Sequence, residues 1–497
     1  MMPATSAAVE PALRAKVRRA AGQPAFLFDG VATTWQDIAD LADRLDATVG
    51  TLTIGHDALI GVLTRNRPEQ LATILALIHL GRPITPINAV AGVNGVRGDL
   101  DALQLGAVVG AASDWQRPGM FDACRGNGAA GIAVTAGLDV STERVGSRGP
   151  EVSHGDVMLL MPTSGTTGPP KRIPLPAATI DGALASTRVV ERHRAALRDR
   201  ADAPALLHSP LMHIGGLWRM FEAIVTDSVM ILAERFTVDE WRQAVSAYRP
   251  VASTVSPAGM RMVLDAGVPA AELASLNVIY SGSAPVMADL VEEWEAAYDH
   301  QVLTVYGATE FAGGIASWTI ADKERYWPAK RGSVGRLNPG IEARTLVEAA
   351  GSHEQDTGAL ELRAEHVQGG RWITTTDLAR IDADGFLFLQ GRTDDVIIRG
   401  GFKVHPQPIE SLLGRHPDVA DACVVGRDDP RLGQVPVAVV EPRAGTHPRE
   451  TELQAWCAAS LPGHHVPAAF VIVDELPRTA AGKISRFRAA QLAQPRS

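Results

Sequence analysis

The chain has 497 residues, 46% of them hydrophobic and 21% charged, the profile of a folded globular protein of about three structural units rather than a mini-protein, a fibre or a disordered chain. Its 47 lysines and arginines against 56 acidic residues leave a net charge of −9, so the average field repels nucleic acid and anionic lipid, and neither is an expected partner. The three cysteines, Cys124, Cys423 and Cys457, are odd in number, widely spaced and without a CxxC pair, which speaks against a disulfide framework or a zinc site and fits a reducing cytoplasm.

Met1 to Ala21 holds no apolar segment, and no run of about 18 apolar residues occurs anywhere, so neither a secretion signal nor an integral membrane segment is expected. Ala58–Thr64 reads as a strand, and Asn66-Arg-Pro68 then opens a helix that runs to Leu80 and closes at Gly81. Residues 105–150, rich in Gly and Ala, give little signal. Apolar runs at Ala205–His208, Ser228–Leu232, Val251–Val255, Leu276–Tyr280 and Gln301–Tyr306 are separated by helix-length segments, a βα alternation that predicts layered α/β sheets. Past Gly332 the texture changes to short segments punctuated by glycine, with Asp384-Gly385 as a tight-turn signal, which predicts a small β-rich subdomain. From about Asp394 the apolar runs Ala422–Val425, Val435–Val440 and Ala469–Val473 and the helical stretch Glu452–Ser460 predict a compact α+β domain.

The stretch richest in chemistry is Met161-Pro-Thr-Ser-Gly-Thr-Thr-Gly-Pro-Pro-Lys171, directly after the apolar Val157–Leu160. A strand feeding a loop of small hydroxyl residues and glycines offers N–H and O–H donors to phosphate oxygens, and Lys171 adds a cation. It is not the Walker loop, which needs glycine directly before the lysine, where this chain has Pro170.

Thr163-Ser-Gly-Thr-Thr-Gly-Pro-Pro-Lys171 resembles the signature of the adenylate-forming superfamily, which includes acyl-CoA synthetases, adenylation domains of peptide synthetases and beetle luciferases. Further strings follow in that family's order: Tyr306-Gly-Ala-Thr-Glu310, Thr376-Asp377, Gly391-Arg-Thr-Asp-Asp-Val-Ile-Ile-Arg-Gly-Gly401 and Pro477-Arg-Thr-Ala-Ala-Gly-Lys483. The match spans Asn66 to Arg486, nearly the whole chain. It implies an α/β fold with a large multi-layered N-terminal domain over residues 1–393, made of two α/β sheets and a β-rich subdomain at 332–393. A smaller, mobile α+β domain follows over residues 394–497.

The resemblance also implies roles. Thr163, Ser164, Gly165, Thr166, Thr167, Gly168 and Lys171 would hold the ATP phosphates, and Ser283 and Ala284 would form the adenine turn. Tyr306 can lay its ring on the purine beside Gly307, and Asp377 can accept both ribose hydroxyls, helped by Arg392. Thr309 and Glu310 can hold phosphate and Mg²⁺ through hard oxygen ligands, Glu310 being the metal ligand. Lys483, a flexible ammonium on a glycine-preceded loop, can bridge carboxylate and α-phosphate in the transition state. His213, Gly282 and Ala308 would line the acyl pocket, Asp394 would be the hinge, and Gly400 and Gly401 would face the tunnel for CoA. Taken singly, Asp377 reads as a solvated loop acid and Lys483 as an exposed tail lysine, and His213 reads as readily structural as substrate-gating; the ordered set of motifs gives them their functional reading. Three positions depart from the family's habit: Ser283 replaces glycine or alanine, Arg172 follows Lys171 where glycine is usual, and Thr304 stands where a larger amide is common. Arg172 would stiffen or recharge the end of the phosphate loop.

The expected activity is a two-step ligase: adenylation of a small-molecule carboxylic acid with release of pyrophosphate, then transfer of the acyl group to the CoA thiol. ATP, Mg²⁺ and CoA are the implied cofactors and co-substrates. In the amino-acid-activating members of the family that the chain resembles, an aspartate near the pocket entrance commonly grips the substrate's ammonium, and Leu217–Ile224 holds none, which favours an acid without an α-amino group; Trp218, Met220 and Phe311 suit an aromatic, medium-chain or polycyclic acid. An acyl-AMP ligase loading a separate carrier protein and a catalytically silent nucleotide-binding homologue are the alternatives, and a homo-oligomer stays open.

Overall fold

The structure, a computed structural model, describes residues 8–146, 152–162, 171–192, 203–346, 357–479 and 483–494. These divide into two compact units, one carrying the elements up to Ile315 and the other those from Ala316 onward.

The first unit is built on a seven-stranded sheet in the order Val140–Arg144, Ala130–Val134, Ala107–Ala111, Ile60–Thr64, Ile84–Asn88, Val157–Pro162, Arg172–Pro176. Its central strands are parallel and its two edge strands antiparallel. Ile60–Thr64 is buried at every position, as a parallel strand covered on both faces must be. Arg67 caps the helix Pro68–His79, with proline in its first turn, and Gly81 leaves it at a φ of +71°. Residues 105–150, nearly silent in the sequence, hold three of these strands. Ala107–Ala111 and Ala130–Val134 escape a pattern reading because burial on both faces removes the polar alternation that marks a strand.

The βα alternation after Ala205 is present, but its strands divide between two sheets. Ala205–Leu207 and Met230–Leu232 join Pro24–Phe28 and Val31–Thr34 in a four-stranded sheet that the sequence does not single out. Ala252–Thr254, Val278–Gly282 and Gln301–Ala308 form a parallel set with Gly313–Ser317 beside it.

In the second unit, Ile341–Leu346, Gly358–Ala364, Ile373–Ile381 and Leu387–Arg392 make an antiparallel sheet. Its last hairpin turns at Gly385, φ +80°, where the Asp382 carboxylate accepts from the N–H groups of Asp384 and Phe386 at 2.9 and 3.0 Å. The C-terminal sheet centres on the long pair Val419–Asp429 and Gly433–Pro442, with Ala469–Ile472 parallel to the latter. Alternate residues feed two cores: Val424, Ala438 and Val440 pack with Ile409, Leu453 and Phe470, while Cys423, Val425, Val437 and Val439 pack with Leu476 and Ala489. Burial pushes the Cys423 thiol up to about 12. Among the described residues no helix is long and apolar enough to cross a membrane.

Candidate active site

In the first unit, Ser283 and Ala284 follow the end of the parallel strand Val278–Gly282, and Thr309 and Glu310 follow the end of its parallel neighbour Gln301–Ala308, the side of an α/β sheet on which ligands bind. Thr163, Ser164, Gly165, Thr166, Thr167 and Gly168 lie outside the described residues. The stem that carries them is described: Val157–Pro162 and Arg172–Pro176 pair antiparallel, with Pro162 opposite Arg172, and Lys171 is exposed beside that pair. Val278–Gly282 ends in Gly282, whose added Cβ would lie 2.3 Å from the carbonyl oxygen of Val305. Ser283 follows at a φ of +66°, and Ala284 is exposed in the same bend. That left-handed backbone is one that glycine adopts freely and L side chains rarely do, so Ser283 carries backbone strain.

Tyr306, Gly307 and Ala308 belong to the strand Gln301–Ala308 itself, and Thr309 and Glu310 form the 3₁₀ turn after it. Gly307 is exposed, and an added Cβ would meet the Gly313 carbonyl oxygen at 2.5 Å. Glu310 is half-buried, and among the described residues it has no ion-pair partner, so its carboxylate suits a hard divalent cation. His213 caps the helix Ile214–Thr226 from an extended backbone, φ −114°, without a side-chain capping bond. Asn66 holds the segment leading to it: its Nδ2 donates to the carbonyls of Ser209 and Ala233 at 3.0 and 3.1 Å, and its Oδ1 accepts from Leu211 N–H at 2.9 Å. Trp218 is half-buried with its ring against the Gly313 backbone, where a Cβ would lie 2.6 Å from the indole, whereas Met220 and Phe311 are core residues.

The second unit brings Asp377, Arg392 and Lys483 together. Asp377 and Arg392 are directly opposed on neighbouring antiparallel strands. Arg392 donates to both carboxylate oxygens of Asp394, at 2.9 and 3.0 Å, which raises the Arg392 value and lowers that of Asp394. The half-buried Lys483 ammonium is held below the usual lysine range by burial and by the Arg392 cation, with Asp377 pulling it back up. Thr479 N–H donates to the Lys483 carbonyl at 2.7 Å and Ser485 N–H to the Pro477 carbonyl at 2.7 Å, so the lysine lies beside the antiparallel bridge of Arg478 with Ile484. Gly400 and Gly401, at φ +57° and +88°, form the two-residue turn joining Ile397–Arg399 to Phe402–Val404.

Sequence reasoning missed the residues that brace Lys483. Arg478 pairs with Asp421 at 2.9 Å and Glu441 at 3.4 Å on one side of the lysine. Arg486 pairs with Asp395 at 3.0 Å and Glu410 at 2.8 Å on the other, and donates to the Val424 carbonyl at 2.8 Å. Burial raises Glu410, and Arg486 opposes the rise. The signal was two arginines flanking the lysine at −5 and +3; nothing local named their distant acidic partners.

A profile of the AMP-binding enzyme family matches residues 13–371, and one of the AMP-binding enzyme C-terminal domain matches residues 408–483. The chain belongs to the AMP-binding enzyme family. This AMP-binding enzyme is 29% identical to the indoleacetate–CoA ligase of Aromatoleum aromaticum over 95% of each chain. It is 30% identical to the 2-succinylbenzoate–CoA ligase of Geobacillus kaustophilus over 86% of each. Its fold matches ATP-bound MatB from Rhodopseudomonas palustris with a TM-score of 0.81 at 22% identity, covering 97% of this chain and 98% of that one.

Proposed function

We propose that the protein is an ATP-dependent carboxylic acid–CoA ligase acting on an acid without an α-amino group, with an aromatic acid as the first class to test. The observation that carries the reading is the juxtaposition of Lys483 with Asp377 and Arg392 in one unit, a mobile-type ammonium beside the pair suited to a ribose. The family membership, and CoA ligases among its relatives on aromatic and related acids, support the reaction class.

In the first half-reaction the substrate carboxylate attacks the α-phosphorus of ATP, the bond from that phosphorus to the bridging oxygen breaks, and pyrophosphate leaves. Lys483 lowers the repulsion between the two anions and stabilises charge in the transition state, Tyr306 and the Ser283–Ala284 bend hold the base, and Asp377 holds the ribose. Mg²⁺, held by Glu310 and phosphate oxygens with Thr309 nearby, would supply charge neutralisation on the triphosphate. In the second half-reaction the CoA thiolate attacks the acyl carbon and AMP leaves with the bonding electrons. Residues 394–497 pivot at Asp394 between the two, bringing the Gly400-Gly401 turn to the thiol. The buried, unpaired cysteines suit a reducing compartment, and a cytoplasmic location is part of the proposal.

The test is a panel of carboxylic acids scored for acid-dependent pyrophosphate release, with nucleotide products identified. AMP and pyrophosphate are expected; ADP with inorganic phosphate would refute the reading. Presenting CoA and a phosphopantetheinylated carrier protein as competing acceptors then decides the second step, with CoA the expected winner.

A further inference from the structure

Arg172 is the first residue of the edge strand that leaves the phosphate loop, and its partner across the ladder is Pro162, the last residue before that loop. Its guanidinium does not stay on this hairpin. Nη1 donates to Thr85 Oγ1 at 2.6 Å and to the Pro86 carbonyl at 2.9 Å, and the Nη2 edge is ion-paired with Asp99. Thr85 and Pro86 belong to the strand Ile84–Asn88, and Asp99 to the helix Val93–Asp101. In the sheet order, Val157–Pro162 lies between Ile84–Asn88 and Arg172–Pro176, so the side chain spans the whole strand that enters the loop. Thr85 Oγ1 in turn donates to the Leu160 carbonyl at 2.7 Å, tying that middle strand into the same brace. The arrangement is desolvated: the side chains of Arg172 and Asp99 are 11% and 14% exposed.

We propose that Arg172, clamped by Asp99 and Thr85, is a positioning residue for nucleotide binding that fixes both feet of the loop Thr163–Lys171. This rests on the reading of that loop as a phosphate cradle. Of the two expectations for an arginine at this place, stiffening and recharging, the geometry selects stiffening: the guanidinium is directed into the sheet and helix, where its charge is already matched. A planar guanidinium suits the task because it reaches a hydroxyl, a carbonyl and a carboxylate at once, which a single ammonium cannot do in the same fixed geometry. Holding Pro162 and Arg172 in one fixed geometry presets the stem of the cradle, so the effect falls on ATP and not on the acid.

The experiment compares wild type with Arg172→Gln, Arg172→Lys and Asp99→Asn in acid-dependent ATP–pyrophosphate exchange, with ATP affinity measured separately by equilibrium titration. Arg172→Gln and Asp99→Asn should each raise KM for ATP about tenfold while KM for the acid stays within about twofold. Arg172→Lys should recover part of the ATP affinity. An unchanged KM for ATP in Arg172→Gln, or equal rises for ATP and acid alongside a lowered melting temperature, would overturn the assignment. If Arg172→Gln fails to fold, Asp99→Asn and Arg172→Lys carry the same comparison. A wild-type protein that binds ATP but exchanges no pyrophosphate refutes the ligase reading alone, because the titration still ranks the variants; one that binds no ATP refutes both.

Discussion

Arg392 and Asp394 are locked together two residues apart, Nε to Oδ1 at 2.9 Å and Nη2 to Oδ2 at 3.0 Å. Arg392 also stands opposite Asp377 across the sheet. The residue assigned to help the ribose acid is therefore physically tied to the residue assigned as pivot, and any rotation at Asp394 must either carry this ion pair or break it. Proline at position 394 fixes φ near −65° and removes the carboxylate. Asp394→Pro should slow transfer from acyl-adenylate to CoA by about tenfold or more, leaving adenylation within about threefold. Separate assays of the half-reactions check this, and unchanged overall turnover would remove Asp394 as the pivot.

Lys483 is proposed as the group that spans the two reacting anions. Lys483→Ala should therefore lower adenylate formation by roughly a hundredfold to a thousandfold, the range seen when a preorganised charge-stabilising donor is removed. Thioester formation from supplied acyl-adenylate should persist within about threefold, since that step does not use the ammonium. Equal losses in both assays would contradict the role.

The same lysine gives a pH signature. Burial and Arg392 disfavour its charged form while Asp377 favours it, with a net value below the ordinary 10.5. The charged form is the active one, so kcat/KM for adenylation should fall on an alkaline limb that begins below the ordinary lysine range. Asp377→Asn, which removes the group holding the value up, should move the limb closer to neutrality, and Lys483→Arg should abolish it at reduced rate. For stability, the folded state binds fewer protons than the unfolded one between the lowered value and 10.5, so the burial penalty is full below that window and disappears above it. Lys483→Met should accordingly raise the melting temperature at neutral pH, and a lower one would argue against this sign.

These residues differ in how legible they were. The helix start at Asn66-Arg-Pro68, the turn at Asp384-Gly385 and the nucleotide motifs are local patterns, and each has a physical cause within a few residues. The assignment of consecutive strands to different sheets was not legible, because Met230 lies beside Phe26 rather than beside a strand that follows it. Arg486 reads as one more tail cation until the fold brings Asp395 and Glu410 to it. Arg172 was conspicuous as a departure, yet which way it pointed depended on Asp99 and Thr85, more than 70 residues upstream. Ser283 is also visible as an oddity, but its left-handed backbone appears only in three dimensions.

His208 supplies a test on the acid side of neutrality. It is 8% exposed, its ring lies against Phe236, and among the described residues its Nε2 has no hydrogen-bond partner. Burial first, then the Arg219 cation, pull its value from 6.5 down to about 4, and a hydrogen bond with the Thr254 backbone opposes them only in part. The imidazole is thus neutral in the folded protein at pH 7. The unfolded chain binds a proton here as pH falls through 6.5, while the folded chain resists until about pH 4. Stability is therefore full above the upper value and is lost across that window, with a contribution on the order of 3 kcal/mol. Urea unfolding of wild type at pH 7 and pH 4.5, set beside His208→Gln, reads the term directly. The variant should unfold more easily at pH 7 because a packed ring is gone, yet lose less on acidification than wild type. If the two proteins lose stability in parallel, His208 does not titrate in the manner its burial requires.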